Sequence, residues 1–159
     1  MNYENEIEIM RKMFMDEIEI DIYEYIEKYD NAVEVLLEHS DLTIIKPLME
    51  LFYDDCYELS LMEELEEFIL TIANRYGKDG FLEIIKNLKY VKEAGEYFGK
   101  EALVKMIMWS NNEYLIFLSA LPHISQSERE ILVSILLKIK EDNAESLKER
   151  VDELIKLLS

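Results

Sequence analysis

The sequence predicts an all-α fold: a single domain over residues 1–159 with about eight or nine short-to-medium helices. Only 4 Gly and 2 Pro occur among 159 residues, so few residues interrupt helices. Half of the residues are hydrophobic, and they recur mostly at steps of three and four, as on one helix face. Short links join the hydrophobic runs, which is compatible with an irregular bundle or a HEAT-like helical stack.

The first predicted helix lies in a segment of ambiguous periodicity, residues 18–29. Apolar and polar residues alternate there, as in a strand, but apolar residues also occur at helical steps. The latter set is Ile18, Ile22, Tyr25, Ile26 and Tyr29. We expect a helix, because strong helix formers flank the segment and no second strand follows to pair with it. A strand is the alternative. Asp30 should cap a further short helix that ends near His39.

Thr43 and the pair Asp54–Asp55 are the next expected helix starts. With Thr43 as the cap, Pro47 lies in the first turn, close to N–H groups that have no helical partner. The buried face of this helix should be Leu48, Leu51 and Phe52. Asp54 and Asp55 should form a loop and a cap before a long helix that stops at Tyr76–Gly77. The apolar positions of the long helix are Leu59, Met62, Leu65, Ile69, Ile72 and Ala73.

Glycines separate the helices that follow. Asp79–Gly80 should restart the chain, and Gly95 and Gly99 should interrupt it. The helix between these breaks contains Phe81, Ile84, Ile85 and Leu88. Residues 102–109 and 114–121 are strongly apolar, so we expect them to form the two most buried helices.

The last two helices have recognisable starts. After Pro122, Ser125 and Glu128 have the spacing of a capping box. The apolar face of the helix that they begin is Ile131, Leu132, Ile135, Leu136 and Ile139. A final helix should follow Asp142–Asn143. Its apolar positions are Leu147, Val151, Leu154, Ile155 and Leu158.

The acidic residues are concentrated in the first part of the chain. The net charge is −18, and residues 1–67 account for −17 of it, with 21 Asp and Glu against 4 Lys and Arg. From residue 68 onward, 14 acids and 13 bases nearly balance. A surface of this charge repels nucleic acids and anionic membranes, so we expect neither as a partner and a basic protein instead. For any single Glu, an ordinary solvated surface is the alternative.

Tyrosine accompanies the acids in residues 1–67. Six of the ten tyrosines lie there: Tyr3, Tyr23, Tyr25, Tyr29, Tyr53 and Tyr57. In interfaces, Tyr supplies a large contact area at a low entropy cost, and neighbouring carboxylates pair with Lys and Arg of a partner. The pattern predicts a docking face, although tyrosines at helical spacing, such as Tyr25 and Tyr29, also fit a core.

Cysteine usage and targeting patterns predict a soluble, cytoplasmic protein. The single cysteine cannot form an intrachain disulfide. The acidic start of the sequence lacks the cationic and apolar regions of a signal peptide. No apolar run approaches the ~18 residues of a membrane-spanning helix.

The sequence also argues against an enzyme. It contains no motif for nucleotide binding, serine hydrolysis or thiolate zinc binding. His39 and His123 lack the Glu three residues earlier that a carboxylate-bridged di-iron bundle requires. Cys56 follows two aspartates, whose charge disfavours a thiolate. We therefore expect no catalytic residue, no metal and no cofactor.

One enzyme-like pattern is the acidic run at residues 63–67. Glu63 and Glu66 stand three residues apart, so both carboxylates could face one side of a helix and hold Mg²⁺. All-α nucleotide pyrophosphohydrolases use such pairs with a second acidic pair. The candidate second pair, Glu93 and Glu96, spans Gly95 and lacks the expected Asp. This hydrolase is therefore less favoured than an exposed acidic face or a protein-binding face.

Residues 45–55, followed by Tyr57–Glu58 and the run 65–68, resemble the helical immunity proteins of bacterial polymorphic toxin and contact-dependent growth inhibition systems. In particular, they resemble the immunity protein family numbered thirty. The similarity continues loosely through residues 82–88, 94–102, 110, 114–118 and 131–139. It spans about residues 40–140.

The resemblance implies a small antidote, encoded beside a toxin, that binds the toxin's catalytic domain and blocks it without doing chemistry. The acidic, Tyr-rich segment independently favours a basic nuclease as the toxin, because a nucleic-acid-binding groove is cationic. We expect a monomer in a one-to-one complex. By matching position, the expected centre of contact is Asp54, Asp55, Tyr57, Glu58, Glu63 and Glu66. A second expected patch is Tyr23, Glu24, Glu27 and Asp30.

Three other functions stay open at this point. One is an acidic helical adaptor or scaffold protein with several partners of moderate affinity. Another is the Mg²⁺-dependent hydrolase. The third is a nucleic acid mimic that binds a host DNA-binding protein, which would use the same acidic face.

Overall fold

The computed structural model describes residues 2–142 and 145–159, and it confirms the all-α fold. Over these residues the chain forms nine α-helices and no strand. The helices are α1 (Glu4–Phe14), α2 (Ile22–His39), α3 (Ile45–Met49), α4 (Leu59–Asn74), α5 (Lys78–Asn87), α6 (Leu103–Trp109), α7 (Asn111–Ala120), α8 (Gln126–Glu141) and α9 (Lys148–Leu158). A π-helical segment, Tyr97–Ala102, leads directly into α6. None of these helices is long and apolar enough to cross a membrane.

The helices pack around one hydrophobic cluster, which includes side chains from all nine of them. The most extensive contacts are those of α1 with α2, α5 with α7, and α8 with α9. α5 also packs against α3, α4 and α8. The contacts of α5 therefore join helices that are separated along the chain.

α4 contributes the largest number of buried residues of these helices, eight of its sixteen. The expectation that α6 and α7 would be the most buried helices is only partly correct. Four of the seven residues of α6 are buried but only three of the ten residues of α7, and Trp109 and Leu115 are 63% and 64% exposed. The burial of α4 arises because α3, α5, α6 and the π-helical segment all pack against it.

The ambiguous N-terminal segment is helical from Ile22 onward, and the strand alternative is wrong. α2 begins after Asp21, whose side chain accepts hydrogen bonds from the backbone N–H groups of Tyr23 and Glu24. The predicted apolar face is only partly correct. Tyr25 and Tyr29 are buried and Ile18 is half-buried outside the helix, whereas Ile22 and Ile26 are exposed.

Asp30 does not cap a new helix, because α2 continues through it to His39. The buried residues Tyr25, Tyr29, Ala32 and Leu36 form one continuous face across this position. The hydrophobic face therefore outweighs the capping preference of a single Asp. The predicted end near His39 is confirmed.

Several other helix starts differ from the prediction. Asp41, and not Thr43, is the cap before α3: it accepts a hydrogen bond from the Thr43 N–H at 2.8 Å. α4 begins after Glu58 and not directly after Asp54–Asp55. α6 and α7 are separated by Ser110 alone. The predicted capping box of Ser125 and Glu128 is confirmed, and Asn143, at the predicted start of the last helix, lies outside the described residues.

Gly99 does not interrupt the chain, because it lies within the π-helical segment that runs into α6. A Cβ atom at Gly99 would lie 2.6 Å from the Val91 side chain and 2.9 Å from Phe52. Glycine is needed here so that the segment can approach Val91 and Phe52 closely.

Asp54 holds the α3–α4 loop (residues 50–58) against the π-helical segment. Its carboxylate accepts hydrogen bonds from the backbone N–H groups of Tyr97 and Phe98, both at 3.0 Å. Its own N–H donates to the carbonyl of Ala94 at 2.7 Å. Asp54 therefore acts as a cap for this segment, whereas Asp55 is exposed.

We expect Asp54→Ala to lower the free energy of unfolding by about 1–2 kcal/mol, the usual cost of losing a capping side chain. Asp55→Ala is the matched control, and it should change this free energy by less than about 0.5 kcal/mol because its side chain is exposed. Urea denaturation followed by circular dichroism measures both effects. Equal stability of the two variants would contradict the capping role of Asp54.

Glu66 places a carboxyl group in the core. Its side chain is on the buried side of α4 and is 2% exposed. Its Oε1 atom has no hydrogen-bond partner among the residues that the structure describes. Burial raises the pKa of Glu66 to about 8, and the charges of Glu63 and Glu67 add to the shift. At neutral pH the group is therefore mostly protonated.

Glu66 should make the stability of the fold depend on pH. Because its pKa in the folded state lies above its ordinary value of 4.5, the stabilisation that protonation provides is complete below about pH 4.5 and is lost as the pH rises towards 8. Glu66→Gln cannot titrate. Relative to the unaltered protein, this variant should gain about 1.4 kcal/mol of unfolding free energy per pH unit between about pH 5 and pH 8.

Urea denaturation at pH 5.5 and pH 8 tests this expectation, with Glu64→Gln as the control at an exposed position of the same helix. The difference between Glu64→Gln and the unaltered protein should stay constant over this range. A pH-independent difference for Glu66→Gln would contradict the raised pKa of Glu66.

Candidate functional site

The outer side of α2 bears a row of four acidic residues with a tyrosine at one end. We call this row the α2 ridge; it consists of Tyr23, Glu27, Asp30, Glu34 and Glu38. Its members are spaced by three or four residues, and all are exposed. They lie on the side of α2 opposite the buried face, so their carboxylates extend into solvent. Tyr23, at one end of the ridge, is 79% exposed.

A second acidic row runs along α4, half of whose residues are buried. We call Glu63, Glu64 and Glu67 the α4 strip. All three side chains are exposed. The other exposed residues of α4 are uncharged, namely Leu59, Ser60, Thr71 and Asn74, so all of the charge on this side of the helix is negative.

A groove separates the α2 ridge from the α4 strip. Its volume is about 370 Å³. Its apolar lining comes from α1, α2 and α4 and consists of Met10, Val33, Leu37, Leu65 and Phe68. Asp30, Glu34 and Glu38 stand on the α2 side, and Glu64 stands on the α4 side. The two acidic rows therefore belong to one surface.

The α3–α4 loop lies beside the turn between α1 and α2. The Tyr57 hydroxyl donates to Sδ of Met13 at 3.5 Å, and burial together with the charge of Asp16 raises the pKa of Tyr57. The Tyr57 side chain is still 55% exposed. Asp55 and Glu58, on either side of it, are exposed as well.

Tyr29 lies between this loop and the groove. Burial raises the pKa of Tyr29, and the charges of Glu64 and Asp30, from the two sides of the groove, raise it further. Tyr57 of the loop also contributes. The α2 ridge, the α4 strip and the α3–α4 loop are therefore neighbours in space.

The negative charge of this surface is not neutralised within the protein. Of the four bases in residues 1–67, Arg11 pairs with Glu8 and Glu17, Lys28 with Glu24, and Lys46 with Glu50. Six acids of the α2 ridge and the α4 strip have no such partner: across residues 2–142 and 145–159, no Lys or Arg nitrogen lies within 4.0 Å of their carboxylates. These acids are Glu27, Asp30, Glu34, Glu63, Glu64 and Glu67. Their combined field therefore extends into solvent.

Eight of the ten residues that the sequence predicted for the toxin contact are exposed in the structure. They are Tyr23, Glu24, Glu27, Asp30, Asp55, Tyr57, Glu58 and Glu63. Asp54 is half-buried, and both of its carboxylate oxygens are engaged by the π-helical segment. Glu66 is in the core, because α4 buries both flanks of the strip that contains Glu63. Neither Asp54 nor Glu66 belongs to the exposed surface.

Sequence reasoning missed Glu34, Glu38 and Glu64. The signal for the first two was their helical spacing from Asp30. The expected helix break at Asp30 placed Glu34 and Glu38 in a different helix from Tyr23 and Glu27, so one continuous row was not predicted.

The structure does not bring the carboxylates of the hydrolase pattern together. Glu63 is exposed and Glu66 is buried, so the pair does not face one site. The Oε1 atom of Glu96 instead lies 3.4 Å from Nζ of Lys100 and 3.3 Å from Nζ of Lys138. Among the described residues, no group of three or more His, Cys, Asp or Glu side chains is arranged to hold a metal ion.

The histidines lie at the ends of helical segments, and the cysteine is buried. His39 is the last residue of α2, and His123 ends a short 3-10 turn. Cys56 is buried, and burial raises the pKa of its thiol. The thiol donates a hydrogen bond to the carbonyl of Glu58 at 3.4 Å.

Comparison with known proteins identifies the family of this chain. The model of the family described as Immunity protein 30 matches residues 15–117, more than half of the chain. No curated protein and no solved structure matches. The matched region begins before α2 and extends into α7, so it contains the α2 ridge, the α4 strip and the whole lining of the groove except Met10. The predicted resemblance is thus confirmed, and the chain belongs to the Immunity protein 30 family.

Proposed function

We propose that this protein binds a toxin domain that is encoded beside it and neutralises that domain without catalysing a reaction. The proposed contact surface comprises the α2 ridge, the α4 strip and the exposed part of the α3–α4 loop. Membership of an immunity protein family supports a toxin as the partner. The position of these elements inside the matched region supports them as the contact surface.

The unneutralised charge of the surface supports a basic toxin, and we propose a nuclease. Six exposed carboxylates lack an ion-pair partner in the described part of the chain, and they surround one groove or lie beside it. The active site of a nuclease must attract phosphates, so its surface is cationic and complementary to this one. Occupying that surface would keep nucleic acid away from the toxin.

Steering and anchoring would be divided between two kinds of residue. The carboxylates act at a distance and raise the rate of encounter with a basic partner. Tyr23 and Tyr57 present large exposed rings next to these carboxylates. Rings of this kind desolvate on contact and commonly supply most of the binding energy of an interface.

Co-expression tests the proposed function. The protein is produced together with the C-terminal domain of the protein encoded immediately upstream of its gene, and cell growth is scored. We expect the upstream domain alone to arrest growth and the pair to grow. Arrest in the presence of this protein, or no arrest by the domain alone, would contradict the proposal.

Charge reversal on the proposed surface should slow association. Glu27→Lys combined with Glu63→Lys alters the α2 ridge and the α4 strip at exposed positions without ion pairs. We expect the association rate with the upstream-encoded domain to fall at least about tenfold at low salt. The salt dependence of the rate should also become weaker, because fewer opposed charges remain to be screened.

The matched control for this experiment is Glu141→Lys combined with Glu149→Lys, at exposed positions of α8 and α9. It changes the net charge by the same amount but leaves the proposed surface intact. Stopped-flow mixing at several salt concentrations measures both rates. If both double variants slowed association equally, the net charge and not this surface would determine the rate.

A further inference from the structure

The groove between α2 and α4 is suited to bind an apolar group. α2 packs mainly on α1, so its other flank does not close against α4. The resulting groove of about 370 Å³ is lined mostly by apolar side chains. This volume is at the lower end of the ~300–1,000 Å³ typical of binding pockets.

Tyr29 supplies an unused polar group in the groove. The residue is 8% exposed, and its ring packs edge-on against Phe14 with 6.0 Å between the ring centroids. Its hydroxyl forms no hydrogen bond with any described residue and is accessible to solvent at the groove. In contrast, the hydroxyl of Tyr25, one turn earlier, donates to the carbonyl of Ile9 at 2.9 Å.

The charges around the groove determine the chemistry of its occupant. Asp30, Glu34, Glu38 and Glu64 contribute four carboxylates to the lining, and no Lys, Arg or His contributes to it. Asp30, Glu34 and Glu38 stand one helical turn apart, about 5–6 Å from one to the next. Lys or Arg residues one turn apart on a second helix have the same spacing and the opposite charge.

We propose that this groove is the anchoring seat for one apolar side chain of a basic helix of the toxin. Lys or Arg residues one turn before and after that side chain pair with the carboxylates of the rim, and the Tyr29 hydroxyl bonds to a polar group of the same helix. This inference rests on the proposed function, and it adds the position of the anchor and the kind of segment that occupies it.

Filling the groove tests the proposal. Val33→Trp places a large side chain in the lining of the groove. Val35→Trp makes the same change two residues away on α2, at a half-buried position outside the groove. We expect Val33→Trp to weaken binding of the upstream-encoded domain at least about thirtyfold and Val35→Trp to change it less than about threefold. Isothermal titration calorimetry with that domain measures both affinities.

Tyr29→Phe keeps the test decisive even if Val33→Trp alters the fold. This change removes only a hydroxyl that has no partner in the free protein, so thermal stability should stay the same or rise. Binding should weaken about fivefold to tenfold, which corresponds to the loss of one hydrogen bond to the partner. Tyr25→Phe is the control, because its hydroxyl is already bonded to α1; it should lower thermal stability and leave affinity unchanged.

The outcomes separate this inference from the proposed function. If the unaltered protein binds the upstream-encoded domain but Val33→Trp and Tyr29→Phe bind it equally well, the groove is not the seat and the proposed function stands. If the unaltered protein does not bind that domain, both are overturned. Loss of binding in Val33→Trp and Tyr29→Phe, with the two controls unaffected, supports the anchoring seat.

Discussion

Eight of the sixteen residues of α4 are buried, and the acidic surface depends on that burial. Four elements pack against α4, namely α3, α5, α6 and the π-helical segment, which leaves one side for solvent. The acids of the α4 strip lie on this side. α2 borders it across a groove and not across a packed interface. The large buried area of α4 therefore holds a row of repelling carboxylates in place, next to a second acidic row.

The elements that sequence could predict are those determined by local chemistry. The capping box of Ser125 and Glu128 lies where it was expected, because both partners of the motif are within one turn. Asp30 has the same capping chemistry, but it lies in the middle of an uninterrupted buried face, which continues the helix. Gly99 was expected to interrupt the chain, whereas its role is to allow close packing against Val91 and Phe52. Such roles are decided by residues that are distant in sequence.

The same limit applies to the site. Composition was sufficient to locate the acidic region and its tyrosines, because charge adds over a segment whatever its fold. It could not show which carboxylates face solvent. Asp54 and Asp55 are adjacent and alike, but only Asp54 meets the N–H groups of the π-helical segment. Glu63 and Glu66 were expected to share a face, but the packing around α4 buries Glu66 alone. Contacts with residues distant in sequence therefore determine which carboxylates face solvent.

We propose that the partner covers the α2 ridge and the α4 strip. Amide hydrogen exchange, measured for this protein alone and bound to the upstream-encoded domain, tests this contact without any substitution. We expect slower exchange on binding in α2, in the first half of α4 and in the α3–α4 loop, and little change in α8 and α9. Protection confined to α8 and α9, with α2 and α4 unchanged, would contradict it.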